Sequence, residues 1–203
     1  MNESLGQHYL EDSIASLCAY KKMAEKALDQ LADQEFFSTL DEEGNSVAVI
    51  MKHMAGNMFS RWTDFLTTDG EKPNRNRDME FVIDPNTTVK ELRDYWDRGW
   101  QCVFAALEPL DADDLMTRVM IRGEEHTVAQ AINRQLMHYA DHIGQIIFLA
   151  KHFHAHNWKS LSIPRNPSAQ FNAYVQNQPS ATDTGERLDE AVKFDQEQKV
   201  DKR

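Results

Sequence analysis

Apolar residues recur every three or four positions in four long stretches of the chain, and this is the period of an amphipathic helix. The stretches predict helices over about residues 4–31, 46–69, 88–109 and 127–152. The side chains expected to face a common core are Leu10, Ile14, Leu17, Ala24, Leu28, Leu31, Val47, Ile50, Met54, Met58, Trp62, Phe65, Val89, Leu92, Trp96, Val103, Leu107, Val128, Ile132, Leu136, Tyr139, Ile143, Ile146 and Leu149. Four such helices cover their apolar faces most simply as an all-α four-helix bundle.

Residues that favour helix starts precede each of these stretches. Ser4, Thr88 and Thr127 each stand three residues before a Gln or Glu, which is the spacing of a capping box. Asn45 and Ser46 offer an N-cap for the second helix. The sequence therefore predicts where all four helices begin.

Between and after the helices the sequence changes character. Residues 69–86 have the composition of an ordered loop, and residues 118–125 alternate weakly around Gly123, which predicts a short extended pair. We expect residues 1–172 to form the folded domain. Residues 173–203 are expected to form a polar, mobile tail, because few large apolar side chains are present there to offset the ordering entropy.

The charge balance limits the partners that this chain can bind. Lys and Arg total 22 against 33 Asp and Glu, giving a formal net charge of −11, and no basic stripe is present to bind a nucleic-acid backbone. No stretch is apolar enough to span a membrane, and the first residues lack the regions of a secretory signal. We therefore expect a cytoplasmic protein that binds neither nucleic acid nor membrane.

Most motif-based chemistries find little support in the sequence. There is no Gly-x-Ser-x-Gly elbow and no glycine-rich phosphate loop. Cys18 and Cys102 form no paired zinc motif, and their helical surroundings predict small buried side chains. The basic residues within 72–77 could clamp an anion, but the acidic residues around them favour a mixed-charge surface loop.

Three histidines carry the strongest candidate chemistry. His138 and His142 are four residues apart in the fourth predicted helix, so their rings lie one turn apart on one face and can reach one cation. Both positions, like that of His53 in the second helix, fall on or beside an apolar face. Three neutral imidazoles suit zinc, nickel or iron and leave positions open for water or substrate, as in a catalytic site.

Other interpretations of the histidines stay open. Inward histidines also occur as hydrogen-bonded core residues without a metal. The three histidines within 152–156 form a second cluster, but their place at a helix end favours a role in complementing the helix dipole. Asn57, Gln135 and Gln145 are the candidates to orient the ring nitrogens of the first site through hydrogen bonds.

The pattern resembles the DinB-like superfamily of metalloenzymes, which combine one inward His in the second helix with His-x-x-x-His in the fourth. The segments MKHMAGNM (51–58), RWTDFLTTDGEKP (61–73), QAINRQLMH (130–138) and WKSLSIP (158–164) resemble one bacterial branch of unassigned function. The resemblance covers about residues 4–172.

The resemblance implies a four-helix bundle with one crossover connection. It also implies that His53, His138 and His142 bind a divalent metal, often zinc or nickel, with water completing the coordination shell. Characterised relatives include thiol S-transferases that use mycothiol or bacillithiol, thiol-dependent isomerases and proteins without demonstrated activity, and many are homodimers. Asn166 stands where members of the branch tend to have Gly.

Three hypotheses about function follow. The first is a metal-dependent enzyme of the hydrolase or thiol S-transferase type, acting on a small molecule, with a low-molecular-weight thiol as a candidate partner and a homodimer as the expected assembly. Zinc and nickel lead as the cofactor, ahead of iron and manganese. The alternative is a non-catalytic, stress-related bundle whose histidines hold a structural metal, and a metal-free helical protein is the third reading.

Overall fold

Four long helices supply most of the core. The computed structural model describes residues 4–155, 157–163, 168–178 and 189–194. The helices are α1 (Leu5–Leu28), α2 (Val47–Trp62), α3 (Val89–Leu107), α4 (Val128–Phe153) and α5 (Ser168–Gln176), and the strands are β1 (Arg118–Ile121) and β2 (Glu124–Thr127). Short 3₁₀ turns span Asp33–Phe36, Asp78–Phe81 and Ala112–Met116. The expectation of a mostly helical chain is therefore confirmed.

The predicted helix starts are confirmed residue by residue. Thr88 and Thr127 each form the complete capping box with the side chain three residues later. Ser46 accepts a hydrogen bond from the backbone of Val49, as an N-cap does. Ser4 caps α1 in the same way, although the Gln7 side-chain amide donates to Glu11.

The second helix is shorter than predicted, because it ends at Trp62 and does not continue toward Gly70. Thr63 is extended, and Asp64 has a φ of 46°, which lies outside the right-handed helical region. Phe65 is nevertheless buried, so the apolar spacing continued past the end of the helix.

The helices pack as two contacting pairs, α1 with α4 and α2 with α3, and α2 also contacts α4. Most of the predicted inward residues are buried, while Ile14, Leu31, Val89 and Leu136 are half-buried against the same cluster. Trp100 is fully buried although the sequence interpretation did not assign it to the core. The core therefore lies between all four long helices.

The prediction of small buried cysteines was wrong for Cys18. Its position on α1 is exposed, and Cys102 on α3 is half-buried. Cys18 follows the core residue Leu17 directly, and adjacent residues on a helix point in different directions.

The predicted extended pair is an antiparallel hairpin in which Val119 lies opposite His126. Its two-residue turn, Arg122–Gly123, has positive φ at both positions, as a type I′ turn requires. The carboxylate of Asp69 accepts the backbone N–H of Arg122 at 2.8 Å and that of Gly123 at 2.7 Å. The loop after α2 is thus tied to the hairpin tip.

The described part of the C-terminal region packs on itself and on α1. Phe171 of α5 and Phe194 are buried together, and Asp189 forms ion pairs with Lys22 and Lys26. The mobility expected for residues 173–203 stays a prediction. Asn166 lies outside the described residues. None of the described helices combines the length and the apolar character needed to cross a membrane.

Candidate metal centre

The structure brings together the three histidines that the sequence singled out. His53 comes from α2, and His138 and His142 come from adjacent turns of α4. One ligand nitrogen from each residue lies within 4.8 Å of the other two. His53 is buried and the other two rings are half-buried, so the cluster sits at the edge of the core.

A buried carboxylate holds the ring of His53. Oε2 of Glu80 lies 2.8 Å from Nδ1 of His53, and both side chains are less than a tenth exposed. A carboxylate accepts the Nδ1 proton, which fixes the tautomer and leaves the lone pair on Nε2 as a ligand. Phe81 packs against the same ring at a centroid distance of 4.9 Å.

Arg75 completes this chain of contacts. Its guanidinium donates from Nε to Oε1 of Glu80 at 2.8 Å and from a terminal nitrogen to Oε2 at 2.9 Å. Burial raises the pKa of Glu80, but the bonds from His53 and Arg75 outweigh it and the pKa is lowered. Glu80 is therefore ionised at neutral pH, which favours its role as an acceptor from His53.

Gly56 provides the room for Glu80. A Cβ at this position would lie 2.5 Å from Oε1 and 2.8 Å from Cδ of Glu80, closer than van der Waals contact allows. Gly56 stands three residues after His53, so both face the loop that carries the carboxylate. A side chain at residue 56 would push Glu80 away from His53.

The two histidines of α4 are held differently. Nδ1 of His142 lies 3.2 Å from Oε1 of Gln145, whereas Nδ1 of His138 is buried and has no hydrogen-bond partner among the described residues. Burial, followed by the neighbouring His142 and His53, lowers the pKa of His138 to about 3. The pKa of His142 is also lowered, chiefly by burial.

This donor set fits a divalent first-row ion. One ring nitrogen from each of three imidazoles converges here, and imidazole nitrogen is the ligand type that zinc and nickel bind. Nδ1 of His138 also favours a bound ion, because a buried ring nitrogen without a partner among the described residues is costly.

The three residues proposed to orient the rings have separate environments. Gln145 contacts His142, as noted above. Asn57 is buried and its side-chain oxygen lies 3.4 Å from the hydroxyl of Tyr139, while Gln135 is buried with its oxygen unpartnered among the described residues. Asn57 and Gln135 line a cavity beside His53 and His138, and neither forms a hydrogen bond to a histidine among the contacts described.

The sequence interpretation missed Glu80 and Arg75. It assigned residues 69–86 to an ordered loop and favoured a mixed-charge surface for the basic residues within 72–77, but the Arg75 side chain is only 5% exposed and Glu80 is buried. The one available signal was local, since Glu80 stands between Met79 and Phe81 in a short apolar run. A carboxylate in such a run calls for a buried partner.

The second histidine cluster is not assembled in the described part of the chain. His152 is exposed and His154 is the C-cap of α4, and neither belongs to a group of potential metal ligands among the described residues. His156 lies outside the described residues.

The comparisons with known proteins give one result. A family model described as "Protein of unknown function (DUF1572)" matches residues 4–167. Neither the curated proteins nor the solved structures contain a significant match to the chain.

Proposed function

The chain belongs to this DUF1572 family, and we propose that it is a metal-dependent enzyme, of the hydrolase or thiol S-transferase type, with one divalent ion bound by His53, His138 and His142. The observation that carries the proposal is the convergence of three ligand nitrogens within 4.8 Å. The relation to the DinB-like superfamily, with its bundle topology, is part of the same proposal. Zinc and nickel are the first ions to test.

The residues around the site have separable tasks. A divalent ion bound there supplies Lewis acidity, which lowers the pKa of a coordinated water or thiol and polarises a substrate carbonyl. Glu80 accepts the Nδ1 proton of His53, so that Nε2 would be the ring nitrogen that binds the ion. Gln145 restrains the ring of His142. Three protein ligands leave coordination positions for a substrate, in contrast to a closed structural site.

Space for a substrate lies next to two of the ligands. A cavity of about 370 Å³ borders His53 and His138, and Asn57 and Gln135 contribute to its wall. This volume falls within the range of small-molecule sites. This volume supports a small-molecule substrate. A low-molecular-weight thiol partner and a homodimeric assembly stay part of the proposal.

The metal content of the purified protein tests the proposal. We expect about one zinc or nickel per chain in the wild type and a loss of that ion in His138→Ala. His152→Ala is the matched control, because this exposed residue lies on the same helix and should leave the metal content unchanged. A wild-type protein that never takes up a stoichiometric ion would reject the proposal and favour the metal-free helical protein.

Catalysis needs a second measurement. The metal-loaded protein is screened against esters and alkylating electrophiles, with and without a low-molecular-weight thiol. We expect turnover that His138→Ala abolishes, and exchange of added azide or imidazole onto the metal. A loaded protein with a closed coordination shell and no turnover would favour the non-catalytic binder.

A further inference from the structure

The cavity beside the histidines is lined by arginines, although the protein as a whole is acidic. Among the described residues no carboxylate lines its wall, and the chain carries a net charge of −11. The arginines are Arg61, Arg75, Arg77, Arg122 and Arg134. We call this space the arginine cavity.

Four separate parts of the fold deliver these side chains. Arg61 lies on α2, Arg75 and Arg77 lie on the loop that precedes α3, and Arg134 lies on α4. Arg122 occupies the hairpin tip with a φ of 57°, a conformation that L side chains other than Asn and Asp seldom adopt. The convergence of five cations from four segments is therefore a property of the tertiary fold.

Carboxylates near the cavity partner only some of these arginines. Glu71 pairs with Arg61, Arg75 and Arg122 through a single oxygen. Glu80 takes the remaining bonds of Arg75, as described for the metal centre. One carboxylate shared by three guanidinium groups leaves a positive excess.

Two arginines at the cavity differ from the other three in their partners. Within the described residues, no carboxylate forms an ion pair with Arg77 or Arg134; Arg77 lies over the ring of Phe81, and both residues are exposed. Burial is the largest cause that lowers the pKa of Arg61. The charge of Glu71 raises this pKa, and the charges of the neighbouring arginines lower it further. Positive charges that line one cavity favour the binding of an anion there.

Resting on the proposed metal function, we infer that the arginine cavity binds the anionic end, a carboxylate or a phosphate group, of the small molecule on which the histidine centre acts. Guanidinium groups bind both anions through paired N–H donors. Because His53 and His138 share the wall with the arginines, a molecule anchored there extends toward the metal ligands. The buried, unpartnered oxygen of Gln135 offers an acceptor for a hydroxyl or amide of the same molecule.

Calorimetry with inorganic phosphate and with succinate tests the inference, with succinamide as the uncharged control. Each probe is titrated into metal-free and zinc-loaded wild-type protein. We expect both anions to bind the metal-free protein and succinamide not to bind. Stronger binding of phosphate or of succinate then identifies the preferred anionic group. Equal binding of succinate and succinamide, or binding that occurs only on the zinc-loaded protein, would overturn the inference.

Matched variants locate the anion. Arg134→Gln and the double variant Arg122→Gln/Arg134→Gln should weaken anion binding about tenfold or more. Arg98→Gln removes one exposed arginine on α3 away from the cavity and should leave it unchanged. Circular dichroism checks that each variant is folded, and the single variant serves if the double one is not. Wild-type affinity in folded Arg134→Gln would reject the assignment.

Metal content separates this inference from the function on which it rests. The arginine variants should retain the zinc of the wild type, because they leave all three histidines and Glu80 intact. Metal uptake with no anion binding rejects the inference and spares the metal centre. Arginine-dependent anion binding without any metal uptake rejects the proposed enzyme and keeps the anion site.

Discussion

Nδ1 of His53 and Oε2 of Glu80 are 2.8 Å apart, although the two residues come from a helix and from a 3₁₀ turn 27 positions further along the chain. Both side chains are buried, and Arg75 neutralises the carboxylate from its other side. A buried ion pair is costly to assemble unless each charge is hydrogen-bonded. The arrangement therefore serves to hold one imidazole in one tautomer and one orientation.

Glu80→Gln should weaken metal binding by about 10–100-fold, because the neutral amide is a poorer acceptor for the His53 proton. The same change leaves Arg75 without its buried counter-charge, so the free energy of unfolding should fall by about 1–3 kcal/mol. Competition with a chelator measures the metal affinity, and urea denaturation measures the stability.

The control for this change is Glu124→Gln, which alters an exposed carboxylate in β2. It should change neither quantity. If Glu80→Gln bound the metal as tightly as the wild type, the contact with His53 would have no role in the metal centre.

Gly56→Ala should destabilise the protein, because the added Cβ would collide with the carboxylate of Glu80. Overpacking of this kind costs about 1–3 kcal/mol and outweighs the gain of about 1 kcal/mol in helix propensity. Gly144→Ala is a matched control on α4, where a Cβ meets no atom within 4 Å. That control should be neutral or stabilising by up to about 1 kcal/mol. Equal stability of both variants in urea denaturation would contradict the close approach.

Zinc should raise the melting temperature of the wild type and a chelator should reverse the rise. A ligand that binds only the native state at 100 times its dissociation constant contributes about 2.7 kcal/mol. Magnesium at the same concentration should have no effect, because it prefers oxygen ligands. His138→Ala should melt at the same temperature with and without zinc, and a zinc effect that survives in this variant would place the bound ion elsewhere.

The helices and the histidine pair could be predicted because they depend on local sequence. The boxes at Thr88 and Thr127 lie within four residues, and His138 and His142 share a helix face through the helical repeat alone. The placement of His53 beside this pair required only that α2 and α4 pack together. The helix starts and the histidine pair therefore follow from short-range sequence patterns.

The remaining features depend on contacts between distant segments. The residues around Glu80 in the sequence do not identify His53 as its partner. The composition of the loop does not show that Arg75 is buried. The early end of α2 at Trp62 is followed by an extended Thr63 and a positive φ at Asp64, a conformation that Asp tolerates but does not require. The spacing of apolar residues carries no information about such tertiary contacts.

Asp69→Asn should loosen the hairpin tip. The carboxylate accepts the backbone N–H groups of Arg122 and Gly123 through separate oxygens, and an amide retains only one acceptor. Amide hydrogen exchange across 118–127 should therefore accelerate, while metal content stays unchanged. Asp12→Asn, an exposed position on α1, is the control and should leave the exchange of the hairpin as in the wild type.

The same carboxylate predicts a pH dependence. The backbone bond from Glu71 comes first among the causes that lower the pKa of Asp69, burial opposes it, and the bonds from Gly123 and Arg122 add to the lowering. Because the folded-state pKa is depressed, the stabilisation is fully present above the ordinary Asp pKa and is lost as the pH falls through the folded-state value. Wild-type hairpin protection should therefore approach that of Asp69→Asn on acidification, with the variant changing less over the same range.

Since Arg122 reaches the arginine cavity from this tip, Asp69→Asn should also weaken phosphate binding at neutral pH. Unchanged affinity would show that Arg122 is positioned without the Asp69 anchor.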